Sequence, residues 1–241
     1  MVVTSAPAGL SDAELASLEA ASGLPLAAYR RSHVEGCVAR VLPRLGVSDA
    51  AGLGDLLRRD PAARAGFRRS VLVPVTRMFR DEAEFRLLER VVLPELLAAR
   101  DRLQVWSAGC ADGSELRSVG SLLERAGAAA EAVLIGTDVL EEELEQAVGL
   151  PGLPDTTRQS FRFERRDLVL DEPPARRFDL VLCRNVAIYL EPEAQAAVHA
   201  KLVAALRAGG FLMLGASETL LRPERLGLER VSRHVFRKVG P

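Results

Sequence analysis

The sequence predicts an α/β domain on a mostly parallel sheet, preceded by a small all-helical domain. Two observations predict it. The first 70 or so of the 241 residues carry helix caps and helically spaced apolar positions without any alternating strand pattern, whereas beyond Phe79 short apolar strands alternate with helices. The strand candidates also end in small or polar residues, at the sheet edge where ligands bind in such folds. The expected division is a helical domain over 1–72 and an α/β domain over 73–241.

Element by element, Ser11 and Glu14 form a capping box ahead of the first helix. Pro25 opens a second helix through Tyr29, Val34, Val38 and Val41, ending near Gly46. Ser48 and Asp60-Pro61 are expected to cap two short amphipathic stretches. A helix capped at Asp81 runs to about Arg100, then a strand over 103–106 breaks into the glycine loop 109–113, and a helix starts near Ser114. The next strand, 132–135, ends at Gly136-Thr137-Asp138 and is followed by a short helix over 141–148. A strand over 178–183, a helix over 192–206 stopped by Gly209-Gly210, and a strand over 211–214 follow. Two closing strands are expected over 228–231 and 234–238.

Composition excludes several classes. With 48% hydrophobic and 27% charged residues and a net charge of -1, the chain is neither a disordered tail nor a nucleic-acid binder acting through bulk charge. No apolar run approaches the roughly 20 residues of a membrane span. The N-terminal residues lack the basic and apolar regions of a secretory leader, so a cytoplasmic protein is expected. Of 32 basic residues only Lys201 and Lys238 are lysines, a bias consistent with a GC-rich genome. Cys37, Cys110 and Cys183, like His33, His199 and His234, have no metal-ligand spacing, so no metal is expected.

Three clusters carry chemistry. Residues 109–113 read Gly-Cys-Ala-Asp-Gly between a strand and a helix, matching neither a dinucleotide fingerprint nor a P-loop. Such small residues allow close approach of a ligand, although a plain strand-to-helix turn would look the same. Asp138 stands 25 residues past Gly113 at the next strand end, where a carboxylate can accept ribose hydroxyls. A solvated loop aspartate is the alternative. Residues 183–189, Cys-Arg-Asn-Val-Ala-Ile-Tyr, place an amide with donor and acceptor and a phenol after another strand. The alternative there is a polar strand end with a core tyrosine.

Read together with Thr76-Arg-Met-Phe-Arg-Asp81, Trp106-Ser-Ala-Gly-Cys110 and Gly215-Ala-Ser-Glu218, these clusters resemble the CheR-type chemotaxis methyltransferases. That family transfers methyl from S-adenosylmethionine to glutamate side chains of chemoreceptors. The resemblance covers nearly the whole chain and implies a Rossmann-like methyltransferase domain behind the helical one. It implies cofactor contacts from Thr76, Arg80, Glu115, Asp138, Asp167, Leu168, Asn185 and Val186. Asp138 would hold the ribose and Asp167-Leu168 would flank the adenine. Glu115 and the Gly109–Gly113 loop would lie against the methionine portion. Arg80 and Tyr189 would border the methyl group and the incoming carboxylate, as the catalytic residues. The implied partner is a chemoreceptor or receptor-like protein, with no nucleic acid and no membrane insertion.

The chain departs from the family at four places. Ser114, Leu116 and Arg117 replace expected residues beside Glu115, and Pro74 stands where an Asn usually contacts the cofactor. Only 28 residues separate Asp138 from Asp167, too few for the family's three-stranded receptor-docking subdomain, which is expected to be absent. The arginines of the second helix, Arg30, Arg31, Arg40 and Arg44, are diluted by Cys37, Val41 and Pro43, so that helix reads equally well as an ordinary amphipathic surface helix. Three functions remain open: a protein-glutamate methyltransferase, a degenerate cofactor-binding or partner-binding module, and a methyltransferase for another substrate.

Overall fold

The computed structural model describes residues 9–149 and 160–240. The expectations concerning the first residues and the Gly-Pro-Thr stretch after Gly149, including the absence of a docking subdomain there, fall partly or wholly on residues outside these. Two compact units are present: the chain up to Val73 with Tyr189–Ala194, and Pro74–Ile188 with Gln195–Pro241.

The first unit packs α1 (Asp12–Ser22), α2 (Arg31–Leu45), α3 (Ala50–Arg59) and α4 (Pro61–Leu72) around Leu18, Leu26, Val34, Leu53, Leu57 and Phe67. The Ser11–Glu14 capping box forms as expected. The cap of α3 is Asp49, not Ser48, because the Asp49 carboxylate reaches the Gly52 N–H at 2.8 Å. The helix expected from Pro25 is interrupted at Tyr29, which is extended and bridges Leu190 in antiparallel fashion. The Arg30 N–H donates to the Tyr189 carbonyl and the Glu191 N–H to the Ala28 carbonyl, which draws residues 189–194 into this unit rather than the α/β one.

The second unit is a seven-stranded sheet of order β3-β2-β1-β4-β5-β7-β6. Its strands are β1 (Leu103–Ala108), β2 (Ala132–Asp138), β3 (Phe161–Arg165), β4 (Phe178–Cys183), β5 (Leu206–Leu214), β6 (Leu228–Arg230) and β7 (Val235–Lys238). β1 to β5 are parallel; β7 and β6 close the sheet antiparallel. Strand order reverses between β1 and β4, the position of the ligand crevice in doubly wound sheets. β4 is buried at every residue, its one charge, Asp179, included.

Helices α5 (Glu82–Leu87), α6 (Leu93–Ala99), α7 (Ser114–Arg125), α8 (Glu141–Gly149) and α9 (Pro192–Ala205), the last from Gln195 onward, complete the unit. The continuous helix expected from Asp81 to Arg100 contains a π turn at Leu88–Val92, with the Leu93 N–H reaching back to the Leu88 carbonyl. Pro94 has no N–H and crowds the carbonyl four residues earlier, and the wider turn relieves that conflict. Gly209-Gly210 do not delay β5, which begins at Leu206 and absorbs them in an irregular register against Phe178–Leu180. No helix of the described residues is long and apolar enough to cross a membrane.

Candidate active site

The C-terminal ends of β1, β2, β4 and β5 carry the loop 109–113, Asp138, residues 184–186 and residues 215–218. The Gly109 and Cys110 N–H groups both donate to the Thr137 carbonyl, so the glycine loop curls over the end of β2. Gly109 has φ +75°, and a Cβ there would lie 2.6 Å from Cγ2 of Val186. Only glycine fits both demands. The Asp138 carboxylate accepts the Ala111 N–H at 2.9 Å and the Leu140 N–H at 3.0 Å, fixing the loop from the opposite side.

Asn185 is the most constrained residue of the site. Its φ is +59°, in the left-handed region that costs a non-glycine residue about 1–2 kcal/mol. Glu218, 2% exposed, holds it there: one carboxylate accepts the N–H groups of Gly215, Asn185, Val186 and Ala187 at 2.7, 2.8, 3.1 and 2.9 Å. A Cβ on Gly215 would sit 2.7 Å from the Asn185 nitrogen, which explains the bare position opposite. Oδ1 of Asn185 is buried and has no hydrogen-bond partner in the described protein. A buried, unsatisfied acceptor on a strained residue marks a group kept for something other than packing. Phe79, Asp81 and Ala111 are also left-handed, all in loops that carry candidate residues.

Arg80 is positioned through its backbone. The Phe79 N–H donates to Ser118 Oγ on α7, and Nη2 of Arg184 donates to both the Arg80 carbonyl and the Asp81 carboxylate at 2.7 Å. Asp81 therefore starts α5 without a side-chain cap bond, its carboxylate being engaged elsewhere. Nη1 of Arg184 pairs with Glu115 Oε2 at 3.1 Å, and Ser107 donates to Oε1 at 2.8 Å. Burial pushes the Glu115 carboxyl above its ordinary range, and Arg184 and Ser107 only partly oppose it. The Arg80 guanidinium makes one bond, from Nη1 to the Val75 carbonyl at 2.8 Å.

The remaining candidates are placed less tightly. The Arg166 N–H donates to the Asp138 carbonyl, which brings Asp167 and Leu168 to the end of β2. Asp167 Oδ1 accepts the Val169 and Leu170 N–H groups, so this carboxylate shapes its own turn. Leu168 shares a small cavity wall with Trp106, whose indole N–H donates to Thr137 Oγ1. Thr76 lies in the loop after Val73, half-buried. Tyr189 belongs to the helical unit, its ring 4.6 Å from that of His33. Arg184 and Glu218 were within the recognised motifs but had no assigned role. The signal is their position: Arg184 directly follows β4 and Glu218 stands four residues past β5, at the sheet edge that carries the other candidates, and a charge buried there demands a partner.

The CheR methyltransferase SAM-binding domain matches residues 74–150 and 153–234. The chain belongs to the CheR methyltransferase family. A chemotaxis protein methyltransferase of Listeria monocytogenes is 30% identical over 90% of this chain and 92% of its own length. An uncharacterized 104.1 kDa protein of Rhodobacter capsulatus is 34% identical over 80% of this chain, which spans only 24% of that protein. Among solved structures, magnesium protoporphyrin IX methyltransferase from Synechocystis with bound SAH is 16% identical, covers 64% of this chain and 83% of its own, and has a TM-score of 0.43. The cofactor of this CheR domain is S-adenosylmethionine. The residues present fit it. The unsatisfied Asn185 oxygen and the bare backbone at Gly109 lie together at the strand-order reversal, the position of the ligand crevice in doubly wound sheets.

Proposed function

We propose that the chain transfers a methyl group from S-adenosylmethionine to glutamate carboxylates of a chemoreceptor or receptor-like signalling protein. The observation that carries the reading is Asn185, strained, clamped by Glu218 and left with a buried free acceptor beside Gly109. The Listeria relative named a chemotaxis protein methyltransferase supports the substrate class.

The cofactor, when bound, supplies a methyl group activated on a sulfonium. Asp138, at the end of β2, accepts the ribose hydroxyls, as a carboxylate acceptor can. Asp167 and Leu168 flank the adenine. Thr76, Glu115, Asn185, Val186 and the loop bounded by Gly109 and Gly113 hold the rest. Arg80 orients the incoming carboxylate with a forked, charge-assisted contact from the guanidinium donors that Val75 does not use. A glutamate carboxylate is ionised at neutral pH, so no general base is required and catalysis comes from alignment in a site that excludes water. Tyr189 packs on His33 in the helical unit, and the proposal rests on the α/β unit alone.

The test is labelled-methyl transfer to receptor cytoplasmic domains. Base-labile release of the label as methanol supports a carboxyl ester; alkali-stable label overturns the proposed acceptor. The alternative of a degenerate binding module draws on Pro74 and on Leu116-Arg117. Calorimetry decides it: binding of S-adenosylmethionine and its demethylated product without turnover on any carboxylate would favour that alternative.

A further inference from the structure

The opposite rim of the sheet carries a second chemistry. Arg100 precedes β1, Arg177 precedes β4, Arg207 is the second residue of β5 and Lys238 ends the antiparallel β7. In the sheet these strands are consecutive, β1-β4-β5-β7, so four neighbouring strands each deliver one cation to the same edge. At about 4.8 Å between strands the row spans roughly 14 Å. The four side chains line one open cavity of about 690 Å³, and no carboxylate of the described residues is in its wall.

Asp179 lies beneath, 1% exposed, and organises two of the four. Arg207 Nη1 meets both its oxygens at 3.0 and 2.8 Å, and Arg100 Nε meets one at 3.3 Å. The other two are steered by the C-terminal end of α9: Lys238 Nζ donates to the Val203 and Leu206 carbonyls, and Arg177 Nη1 to that of Ala204. Arg100 also donates from Nη1 and Nη2 to the Ala99 and Ala208 carbonyls, whereas Arg177 and Arg207 each engage only Nη1 of a guanidinium with five donors, so capping α9 does not exhaust the cations on this cavity. Burial, and after it the Arg177 charge, hold the Lys238 ammonium below its ordinary range.

We propose that this cavity binds a polyphosphate group of the kind carried by nucleoside di- and triphosphates, at the sheet edge opposite the cofactor. Four cations less one buried carboxylate leave about three positive charges, matched by a di- or triphosphate rather than a single phosphate or carboxylate. Guanidinium forks suit phosphate oxygens. The volume lies within the roughly 300–1,000 Å³ of small-molecule sites, larger than an inorganic ion alone requires.

The experiment titrates the whole chain with tripolyphosphate in low salt, with S-adenosylhomocysteine saturating so that the cofactor site contributes nothing. Saturable binding that weakens at least tenfold in Arg177→Gln and Lys238→Met is the expected result. A second measurement needs no variant. Lys201 and Lys238 are the chain's two lysines, so acetylation followed by mass spectrometry reads each separately. Tripolyphosphate should slow acetylation of Lys238 and leave Lys201 unchanged. Equal rates at both lysines with and without tripolyphosphate, or variants that bind as tightly as the native chain, would overturn the site. So would binding to phosphatidylglycerol vesicles with none to tripolyphosphate, which would assign the cations to a lipid surface.

Discussion

Glu218→Gln isolates the clamp on Asn185. The native carboxylate serves four backbone N–H groups, of which those of Gly215 and Ala187 are buried and those of Asn185 and Val186 part-buried. Glutamine keeps the volume but offers one acceptor oxygen with room for two donors, and turns an NH₂ toward the others. Hydrogen bonds to a charged group contribute about 1.5–3 kcal/mol each, and water can replace the part-buried pair more readily than the buried one. The net loss is then about 3 kcal/mol. At roughly 2–4 °C per kcal/mol for a chain of this size, the midpoint of melting falls by about 6–12 °C. Trp106 is the chain's single tryptophan and lies in β1, so its fluorescence follows the α/β unit without interference from the helical one. Freed from the clamp, Asn185 relaxes out of the left-handed region and recovers about 1–2 kcal/mol that binding must supply again. Affinity for S-adenosylhomocysteine should therefore drop about 5- to 30-fold in calorimetry. An unchanged midpoint would refute the energetics. A lower midpoint with unchanged affinity would refute the claim that the clamp pre-positions Asn185.

Two further predictions concern residues tied to Arg184. Arg80→Ala should leave S-adenosylhomocysteine binding within a few-fold, because the backbone of residue 80 and Asp81 still meet Arg184, while kcat for methyl transfer falls by about 100-fold or more, as when an orienting contact is lost; turnover equal to the native chain's would remove Arg80 from its role. Glu115→Gln tests the pH dependence of stability. Burial raises the folded Glu115 pKa, so the folded state holds this proton more tightly than the unfolded one. Its contribution is fully present below the unfolded value of about 4.3 and is lost as pH rises through the raised folded value. Native minus Glu115→Gln stability, from denaturant melts at several pH values, should decline with pH across that window; a flat or rising difference contradicts the sign.

The sheet was legible because its strands are short apolar runs bounded by small residues, and β4 is the extreme case, buried at every position. β3 was less so: Phe161–Arg165 alternates apolar with charged residues as a half-exposed edge strand does, but over only five positions. Its place at the sheet edge rests on pairing with β2, which no local pattern encodes. The break at Tyr29 was hidden for a similar reason: its extended backbone answers Leu190, 161 residues further on. At the site, Gly109, Asp138 and Asn185 were visible as residue types that strand ends favour. Glu218 was not visible as a clamp, because four backbone donors converge on it from two loops distant in sequence. Side-chain chemistry shows in a sequence; the direction in which an N–H points does not.

The two rims of the sheet carry opposite charge, which the net charge of -1 conceals. At the lower rim the cations exceed their partners. At the upper rim the acids are numerous, yet each is engaged: Glu218 by four N–H groups, Glu115 by Ser107 and Arg184, Asp81 by Arg184, Asp112 by the Ser114 N–H and Asp138 by those of Ala111 and Leu140. A carboxylate that accepts several backbone donors has much of its field cancelled at close range by those N–H dipoles. This matters for the proposed reaction, in which a second carboxylate must approach the same rim. Unengaged acids would repel it; engaged ones chiefly hold loops in shape. In the proposed reaction the upper rim then uses its carboxylates as anchors for strained backbone, and the attraction of an anionic substrate falls to Arg80, whose guanidinium is tied down among the described residues by a single bond to Val75.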